Sequence, residues 1–374
     1  MKKKIFTIFI LIFFVSLLSG LFSTQSLYTG EIFRNDDVLP KSNADEIVIH
    51  TPENRSYTSP MNGYYPATYG FENDDVGTNP AEWEVFEGAG YVDVIDEINN
   101  HQRVVELYDN DNTNHDELHI SFSLQTYGTV EFWVMSNDVS DTFSIRLLDD
   151  TATSVWGDGI GWIQLYLDFV RYQDNTSTYY NVKPVSDNTW YHIKIEFECS
   201  TGNYQGLAQD TWRFYVDGEE FGDFGFLNDI ENVSQLYFFT RGSDMDYRYY
   251  VDAVGFSWDE HYQIGDNLNE GLLLSFDTNF TPDWMGYSLD GAPNRTILGD
   301  ATFPMPADGQ HKIQVFGNDT LGTMYASIIR YFEIIYIAIN TPRNRTYTTP
   351  MNGYYPATYG FENDDVGTNP AEWE

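Results

Sequence analysis

A segment of 34 residues occurs twice in this chain, and this duplication constrains the fold more than any other feature. The first copy covers residues 51–84 and the second covers residues 341–374. The copies differ at only three positions and begin 290 residues apart. A fixed period of this kind indicates an array of repeated modules. Because the period is far too long for a solenoid, each unit must contain one or two whole domains, and residues 337–374 are predicted to begin a second unit.

The second copy stops before the sequence that follows the first copy is repeated. Strands that lack their pairing partners leave backbone groups and an apolar face uncovered. We therefore expect residues from about 350 onward to be extended and mostly exposed, or to pair with the edge of another domain.

The N-terminus has the layout of a secretory signal. Three lysines precede an unbroken apolar run from Ile5 to Leu18, and small residues follow it. No clean A-x-A cleavage site follows, and the run is nearly long enough to span a bilayer. Residues 1–23 are therefore predicted to be a signal peptide or an uncleaved anchor, and residues 24–44 a polar linker. Either alternative places the protein outside the cell, secreted or at the cell surface, with membrane contact only through this segment.

The charge balance excludes one class of partner. The chain has 57 acidic and 19 basic residues, which gives a formal net charge of −38. Such a chain does not hold nucleic acid through phosphate contacts, and an anionic membrane surface is disfavoured as well. An acidic protein suits a neutral glycan, or one bridged by calcium, better than an anionic glycan.

Cysteine usage and glycosylation motifs fit an extracellular protein with self-sufficient cores. Cys199 is the only cysteine, so no intramolecular disulfide exists and stability must come from apolar packing. In a secreted protein, N-x-S/T motifs are predicted glycosylation sites in surface loops. These motifs occur at Asn54, Asn175, Asn232, Asn279, Asn294, Asn318 and Asn344.

After residue 44 the sequence has the pattern of an all-β protein. Short runs alternate apolar and polar residues, and clusters of Gly, Asp and Asn separate them. The pair Asp217-Gly218 after a strand pattern is a strong hairpin signal. The clearest strands are predicted at 129–135, 143–148, 162–170, 190–199, 211–216, 235–240 and 249–258. Long strands with one apolar face predict two stacked sheets, a jelly-roll-like β-sandwich.

The order of these strand motifs resembles a known family. The strings TVEFWV, NTWYHIKIEF, DTWRFYVDGEEFG, QLYFFT and YYVDAVGFSW follow one another as in the LamG-like jelly roll of the concanavalin A-like lectin/glucanase superfamily. The phrases W-Y-H-I-x-I-x-F and W-x-x-Y-V-D-G carry most of the similarity. The resemblance covers residues 65–265 and implies a jelly-roll domain over residues 62–267. Because this fold hosts lectins, adhesins, glycosidases and lyases, it leaves the function open.

A second resemblance begins near Glu270. From LLLSFDTNFTPDWMGYSLDG to IIRYFEI, the sequence is similar to an Ig-like sandwich of secreted repeat proteins. Such domains open with a strand of the form I-x-I-x-x-P-x-N-x-T-Y, which here lies at 47–57, before the jelly roll. We therefore predict that the jelly roll is inserted into a discontinuous Ig-like sandwich formed by residues 45–61 and 268–336. The alternative is that residues 47–57 are an extended linker packed on the jelly roll.

Motifs for catalysis are missing from the sequence. Laminarinase-type glycosidases of this fold use an E-x-D-x-x-E strand, in which the outer carboxylates act as nucleophile and acid/base. No glutamate begins this pattern; the nearest match starts at Glu72 and ends on Gly77. The motifs G-x-S-x-G and H-E-x-x-H and a Gly-rich phosphate loop are absent too. We therefore expect no catalytic residues and a protein that is not an enzyme.

Calcium is the one metal for which the sequence offers ligands. Residues 106–116 are dense in carboxylate and amide oxygens, and Asp109, Asp111 and Asn114 are the candidate ligands. The loop has neither the spacing nor the glycine of an EF-hand. The alternative is an Asn/Asp-rich turn capped by its own side chains.

The segment Trp162–Phe169 offers a candidate glycan-binding stripe. In one continuous strand, Ile163, Leu165, Leu167 and Phe169 would face the core. The other face would then present a mixture of aromatic and hydrogen-bonding side chains, which suits stacking on sugar rings and binding of hydroxyls. These candidate binding residues are Trp162, Gln164, Tyr166 and Asp168, with Tyr172, Tyr179 and Tyr180 nearby. The alternative is that a loop covers Trp162 and Tyr166.

The sequence therefore predicts a secreted or cell-surface modular protein with an adhesion-type role. Its LamG-like domain would bind a glycan or a protein partner, and its Ig-like domain would act as a spacer. Two other functions stay open. One is a purely structural surface-layer or stalk protein, and the other is a polysaccharide hydrolase or lyase, which the missing carboxylate motif disfavours.

Overall fold

The computed structural model describes residues 46–59, 62–241 and 245–336, and in these ranges it contains strands and two short 3-10 helices but no α-helix. The predicted all-β fold class is confirmed. The signal or anchor segment, the linker and residues 337–374 lie outside the described residues, so the predictions for them stay predictions. In the described part, no helix is long and apolar enough to cross a membrane.

The strands follow one another closely along the chain. They are β1 Ile47–Thr51, β2 Ser56–Ser59, β3 Glu84–Phe86, β4 Tyr91–Ile98, β5 His101–Asp109, β6 Glu117–Gln125, β7 Tyr127–Ser136, β8 Phe143–Leu148, β9 Trp162–Tyr166, β10 Phe169–Gln173, β11 Tyr179–Pro184, β12 Tyr191–Glu198, β13 Thr211–Val216, β14 Glu219–Gly225, β15 Val233–Phe239, β16 Tyr247–Phe256, β17 Gly271–Thr278, β18 Pro282–Leu289, β19 Arg295–Ile297, β20 Ala301–Pro304, β21 Gly309–Asp319, β22 Met324–Ala326 and β23 Arg330–Tyr336. The 3-10 helices are Tyr204–Gly206 and Asp266–Leu268.

Strands β3 to β16 form a large sandwich of two seven-stranded antiparallel sheets. The first sheet has the order β11-β10-β9-β8-β15-β6-β3, and the second has the order β14-β13-β12-β7-β16-β5-β4. In β12, the residues Tyr191, Ile193, Ile195 and Phe197 alternate inward and belong to the core between the sheets, as their spacing predicts. This core is continuous from one edge of the sandwich to the other, so each sheet has one buried face and one outer face.

Turn residues fix the hairpins of the large sandwich. Asp217 and Gly218 both have positive φ, 51° and 80°, and join β13 to β14 as predicted. A second two-residue turn lies where one continuous strand was expected: Leu167 and Asp168 have φ of 50° and 64°, and they separate β9 from β10. The prediction of a single strand over 162–170 is therefore wrong. The two-residue alternation of apolar and polar side chains continued through the tight turn, so it did not indicate that the chain reverses direction there.

The remaining strands build a smaller sandwich whose first strand comes from the other end of the chain. β1 pairs with β17, with Ile47 opposite Thr278 and Ile49 opposite Phe276. Both isoleucines are buried with apolar residues of β17 to β23. The sheets have the orders β1-β17-β20 and β19-β18-β21-β23-β2, with β22 on β21. The large sandwich is thus inserted between β2 and β17, as the insertion hypothesis requires, while the Ig-like assignment itself stays a prediction.

Hydrogen bonds join the two sandwiches within one compact unit that ends at Ile335. The side chain of Asn62 donates to the carbonyl oxygen of Gly271 at 2.7 Å. The hydroxyl of Thr302 in β20 donates to the carboxylate of Glu72. Glu72 lies in the loop that leads to β3, so the first repeat copy connects both sandwiches.

The inserted arrangement predicts a stability effect of Ile47. Replacing Ile47 by Ala leaves a cavity in the small core, so we expect unfolding to become easier by about 2–5 kcal/mol. Denaturant unfolding measures this loss. The matched control is Val48→Ala, since Val48 is 40% exposed on the same strand. Equal losses in both variants would contradict the burial of β1 in this core.

The junction predicts a pH dependence at Glu72. Burial raises the pKa of Glu72 to about 7, the charges of Asp252 and Asp300 add to the increase, and the hydrogen bond from Thr302 opposes it. A carboxyl group with a raised pKa favours folding when it is protonated. Its contribution is therefore complete below the usual value of 4.5 and is lost as the pH rises through about 7.

The test is Glu72→Gln, in which the amide stays neutral at every pH. We expect this variant to have a higher melting temperature than the wild type at pH 8, with a smaller difference at pH 5. Other carboxyl groups with a raised pKa titrate in both proteins, so their effects cancel in the difference between the two melting temperatures. A constant difference between the two pH values would contradict the raised pKa.

Candidate functional site

The outer face of the first sheet carries several of the candidate binding residues that the sequence predicts. Ile163 and Leu165 of β9 lie in the core, so Trp162, Gln164 and Tyr166 lie on the opposite side. The outer face is defined here as this surface, from β11 to β3. It also carries Arg146, Arg171, Tyr179, Gln235, Tyr237, Phe239, Glu117 and His119.

A pair of tryptophans forms the most exposed aromatic part of the outer face. Trp156 lies in the loop between β8 and β9 and is 64% exposed. Its ring centroid is 5.6 Å from that of Trp162, which is only 9% exposed. Trp162 in turn lies 5.7 Å from Phe239. The loop therefore covers Trp162 and presents Trp156 to solvent in its place.

Arg171 on β10 is held between two tyrosines. Its Nε and Nη2 donate to Oε1 of Gln164 at 2.9 and 2.7 Å. Its Cζ lies 4.2 Å from the ring centroid of Tyr166 and 4.3 Å from that of Tyr179. Gln164 itself donates to Ser144 at 2.8 Å. These contacts fix one planar guanidinium at a partly exposed position between two rings.

Arg146 on β8 is buried beneath the tryptophan pair. Its Cζ lies 4.3 Å from the ring centroid of Trp162, and Nη1 donates to the carbonyl oxygen of Val155. Its Nε is buried and has no hydrogen-bond partner. Burial lowers the pKa of Arg146 to about 10, so this guanidinium is still charged at neutral pH.

The other end of the outer face is acidic and carries imidazoles. His119 on β6 stacks on Tyr237 at 4.4 Å, and its Nδ1 lies 2.7 Å from Glu117. Burial raises the pKa of Glu117, but hydrogen bonds from His115 and His119 outweigh it, so the pKa lies below its usual range. The outer face therefore changes from basic at β8–β10 to acidic at β6 and β3.

The structure separates some of the predicted site residues. Gln164 is on the outer face, but only 1% of it is exposed because Arg171 and Ser144 occupy its polar atoms. Asp168 lies in the turn and not on the stripe. Tyr179 lies on the outer face, whereas Tyr180, its neighbour on β11, points to the opposite side and stacks on Tyr172 at 5.3 Å.

The core assignments of Leu167 and Phe169 are both wrong: Phe169 pairs with Tyr166 on the outer face and is only partly buried. Leu167 is 55% exposed, because it is a turn residue. Of the predicted stripe and the tyrosines near it, three aromatic residues therefore lie on the outer face: Trp162, Tyr166 and Tyr179. The alternative was that a loop covers Trp162 and Tyr166, and for Trp162 the structure shows this loop.

Three important residues of the outer face were missed from the sequence. Arg146 and Arg171 lie in strand patterns, and the alternation of 143–148 already placed Arg146 opposite the apolar residues. Strand pairing, however, brings β8 beside β9, and the register of that pair cannot be read from the strand patterns alone. Trp156 lies in a loop without periodicity, so no pattern could place its ring on Trp162.

The calcium candidates do not point to one place. Asp109 is buried and accepts hydrogen bonds from the backbone N of Asp111 at 3.1 Å and from Tyr247 at 3.3 Å. The carboxylate of Asp111 accepts from Thr113 and Asn114 of its own loop at 2.8 and 2.6 Å. Among the described residues, no three His, Cys, Asp or Glu side chains are grouped so that they could hold a metal. Calcium binding here stays a prediction.

The predicted glycosylation sites differ in accessibility. Four of the asparagines are exposed, namely Asn54, Asn175, Asn279 and Asn294. Asn232 and Asn318 are partly buried, and Asn232 donates to Asp150 at 3.1 Å. Asn344 lies outside the described residues. Glycosylation itself stays a prediction.

A cleft of about 560 Å³ lies on the other sheet. It is lined by His101, whose ring lies between those of Tyr65 and Trp190 at 4.2 and 4.0 Å. The Nδ1 of His101 lies 2.6 Å from the buried carboxylate of Asp252. These stacked rings contact each other, whereas Trp156 on the outer face presents its ring to solvent.

A comparison with protein-family models finds no match, and neither does a comparison with curated proteins. Solved structures give partial matches. A sialidase matches 54% of this chain over 19% of its own length, with 14% identity and a TM-score of 0.42. A tetrameric galectin from the ball sponge Cinachyrella sp. matches 37% of this chain over 98% of its own, with 11% identity and a TM-score of 0.27.

The carbohydrate recognition domain of Emp46p, in a potassium-bound form, matches 53% of this chain over 98% of its own length, with 12% identity and a TM-score of 0.34. At such low identity and TM-score, none of these similarities carries an argument about function. The function has to follow from the outer face of this chain.

Proposed function

We propose that this protein is a glycan-binding module and that the outer face of its large sandwich is the binding surface. The observation that carries the proposal is the exposed ring of Trp156, which packs against the ring of Trp162 at 5.6 Å with a tilt of 42°. An exposed, immobilised aromatic ring offers a flat apolar surface to the C–H face of a sugar. Because the ring is already packed, little side-chain entropy is lost when the sugar binds.

Polar groups around the tryptophan pair support binding of sugar hydroxyls. Gln173 lies opposite Trp162 on the neighbouring strand and is partly exposed. Tyr179 is 36% exposed and lies opposite Gln173 on β11. An amide and a phenol can both donate and accept hydrogen bonds, which matches the chemistry of a hydroxyl. Few polar groups at fixed positions beside an aromatic surface are the usual composition of a small-molecule site.

We also propose that the module binds without catalysis and acts outside the cell, with the small sandwich as a spacer. The missing E-x-D-x-x-E strand supports binding rather than hydrolysis. Glu84 and Glu117 are the acidic residues closest to His119 on the outer face, at 3.5 and 2.7 Å. Both carboxylates are thus engaged by an imidazole. The apolar N-terminal segment after three lysines supports secretion or anchoring at the surface.

Replacing Trp156 by Ala tests the binding surface. We expect glycans retained by the wild-type chain on a glycan array to bind the variant about tenfold more weakly, because the stacking surface is lost. The melting temperature should change little, since Trp156 is largely exposed. Titration calorimetry with the retained glycan gives the affinity.

The matched control is Tyr127→Ala, because Tyr127 is another exposed aromatic residue of the large sandwich, 52% exposed. Its affinity should equal that of the wild type. A wild-type chain that retains no glycan would instead favour a purely structural role. Release of reducing sugar or of unsaturated product from a retained polysaccharide would contradict binding without catalysis.

A further inference from the structure

Positively charged side chains collect at the basic end of the outer face, where the Cζ of Arg146 lies 4.3 Å from the ring centroid of Trp162. Arg171 lies against the ring of Tyr179 at 4.3 Å. Burial raises the pKa of Tyr179, and the positive charges of Arg171, Arg241 and Arg146 lower it. All three charges are therefore close enough to act on one phenol. We call Arg146, Arg171, Arg241 and Tyr179 the arginine site.

Strand pairing places this site on adjacent rows of the sheet. Ser144, Gln164, Arg171 and Asn181 follow one another across β8, β9, β10 and β11. Neighbouring strands are about 4.8 Å apart, so β8 and β10, which carry Arg146 and Arg171, are separated by about 10 Å. An oligosaccharide of a few sugar rings spans such a distance, so the tryptophan pair and the arginine site lie within reach of one short oligosaccharide.

None of these arginines has an acidic partner within 4 Å among the described residues, although acidic residues outnumber basic ones three to one. Two other arginines of the large sandwich each lie close to a carboxylate. Arg248 lies 3.6 Å from Glu106, and Arg213 lies 3.2 Å from Glu196. A buried guanidinium such as Arg146 costs free energy unless it is compensated. Unpaired positive charges at one place in an acidic protein are positioned to receive an anion from outside.

Resting on the proposed glycan binding, we propose that the arginine site binds the carboxylate of an acidic sugar of the uronate type. Arg171 is partly exposed and Arg241 is exposed, so both can contact the ligand. Two Arg171 nitrogens already donate to Gln164, which leaves Nη1 to donate to a carboxylate oxygen. Arg146 lies beneath the surface and adds positive potential without direct contact. A neighbouring ring of the same glycan would extend over Trp156.

The strongly negative net charge of the chain does not oppose the binding of a carboxylate at the arginine site at short range. At physiological salt, charges separated by more than about 8 Å are largely screened, whereas contacts at hydrogen-bond distance are not. The distribution of charge within the outer face therefore determines where an anionic group binds. Glu84 and Glu117 lie at its far end and repel an anionic group toward the arginine site. An anionic sugar is thereby oriented along the sheet, in contrast to the neutral glycan that net charge alone predicts.

The experiment compares two ligands that differ only in charge. Oligogalacturonate and its full methyl ester are titrated into the whole chain, together with a sulfated oligosaccharide. We expect the acidic form to bind at least about tenfold more tightly than the ester. Binding of the ester alone would overturn this inference and leave the proposed function standing. Binding of none of the probes, or of any glycan on the array, would overturn both, and preference for the sulfated probe would overturn the assignment to a carboxylate.

Variants locate the effect at the arginine site. Arg171→Gln should weaken binding of oligogalacturonate about tenfold or more and leave any binding of the methyl ester unchanged. Arg241→Gln, at an exposed position, should act in the same direction if Arg171→Gln does not fold. The matched control is Arg248→Gln, since Arg248 also stacks on a tyrosine, at 4.1 Å from the ring of Tyr108, but lies on the other sheet. If the Arg171→Gln variant lost equal affinity for the acidic and the esterified ligand, the role of Arg171 would be merely structural.

Discussion

Burial of one face of each seven-stranded sheet against the other is the interaction on which the rest of the structure depends. Side chains alternate along a strand, so fixing which residues are inside also fixes which are outside. Ile163 and Leu165 enter the core, and Trp162 and Gln164 therefore cannot. The outer face is in this sense a consequence of the core. It is assembled from seven strands, and the sheet order places β15 between β8 and β6, although β15 is distant from both in sequence.

In the small sandwich, too, the alternation of side chains along a strand fixes which residues are buried, but its strands are connected differently. Ile47 and Ile49 are buried only because β1 returns to β17 across the whole inserted domain. This closure keeps the entry and exit of the large sandwich together, and Glu72 with Thr302 adds a polar contact at the junction. The first repeat copy is thus part of both sandwiches. That dual role gives a physical reason for its nearly identical recurrence, since each repeat unit would need the same connecting segment.

Charge is distributed on the large sandwich in a way that composition cannot express. A net charge of −38 describes the long-range field. Locally, Arg146 and Arg171 occupy one end of a sheet surface with no carboxylate within 4 Å in the described part of the chain, while Glu117 occupies the other end between imidazoles. Aromatic rings separate these ends, and they stabilise the guanidinium groups by cation–π contacts that need no counter-charge. Such an arrangement leaves the positive charge available to a ligand.

The sequence by itself determined the all-β class, most strand positions, the inward face of β12 and the turn at Asp217, because period, β-propensity and turn chemistry are local properties. It did not determine the reversal at Leu167 and Asp168, since alternation continued through the turn. Only the tertiary structure decided that Arg146 lies on Trp162, that Arg171 lies on Tyr179 and that Trp156 covers Trp162. Those contacts arise from strand register and loop packing, which depend on the whole sheet rather than on neighbouring residues.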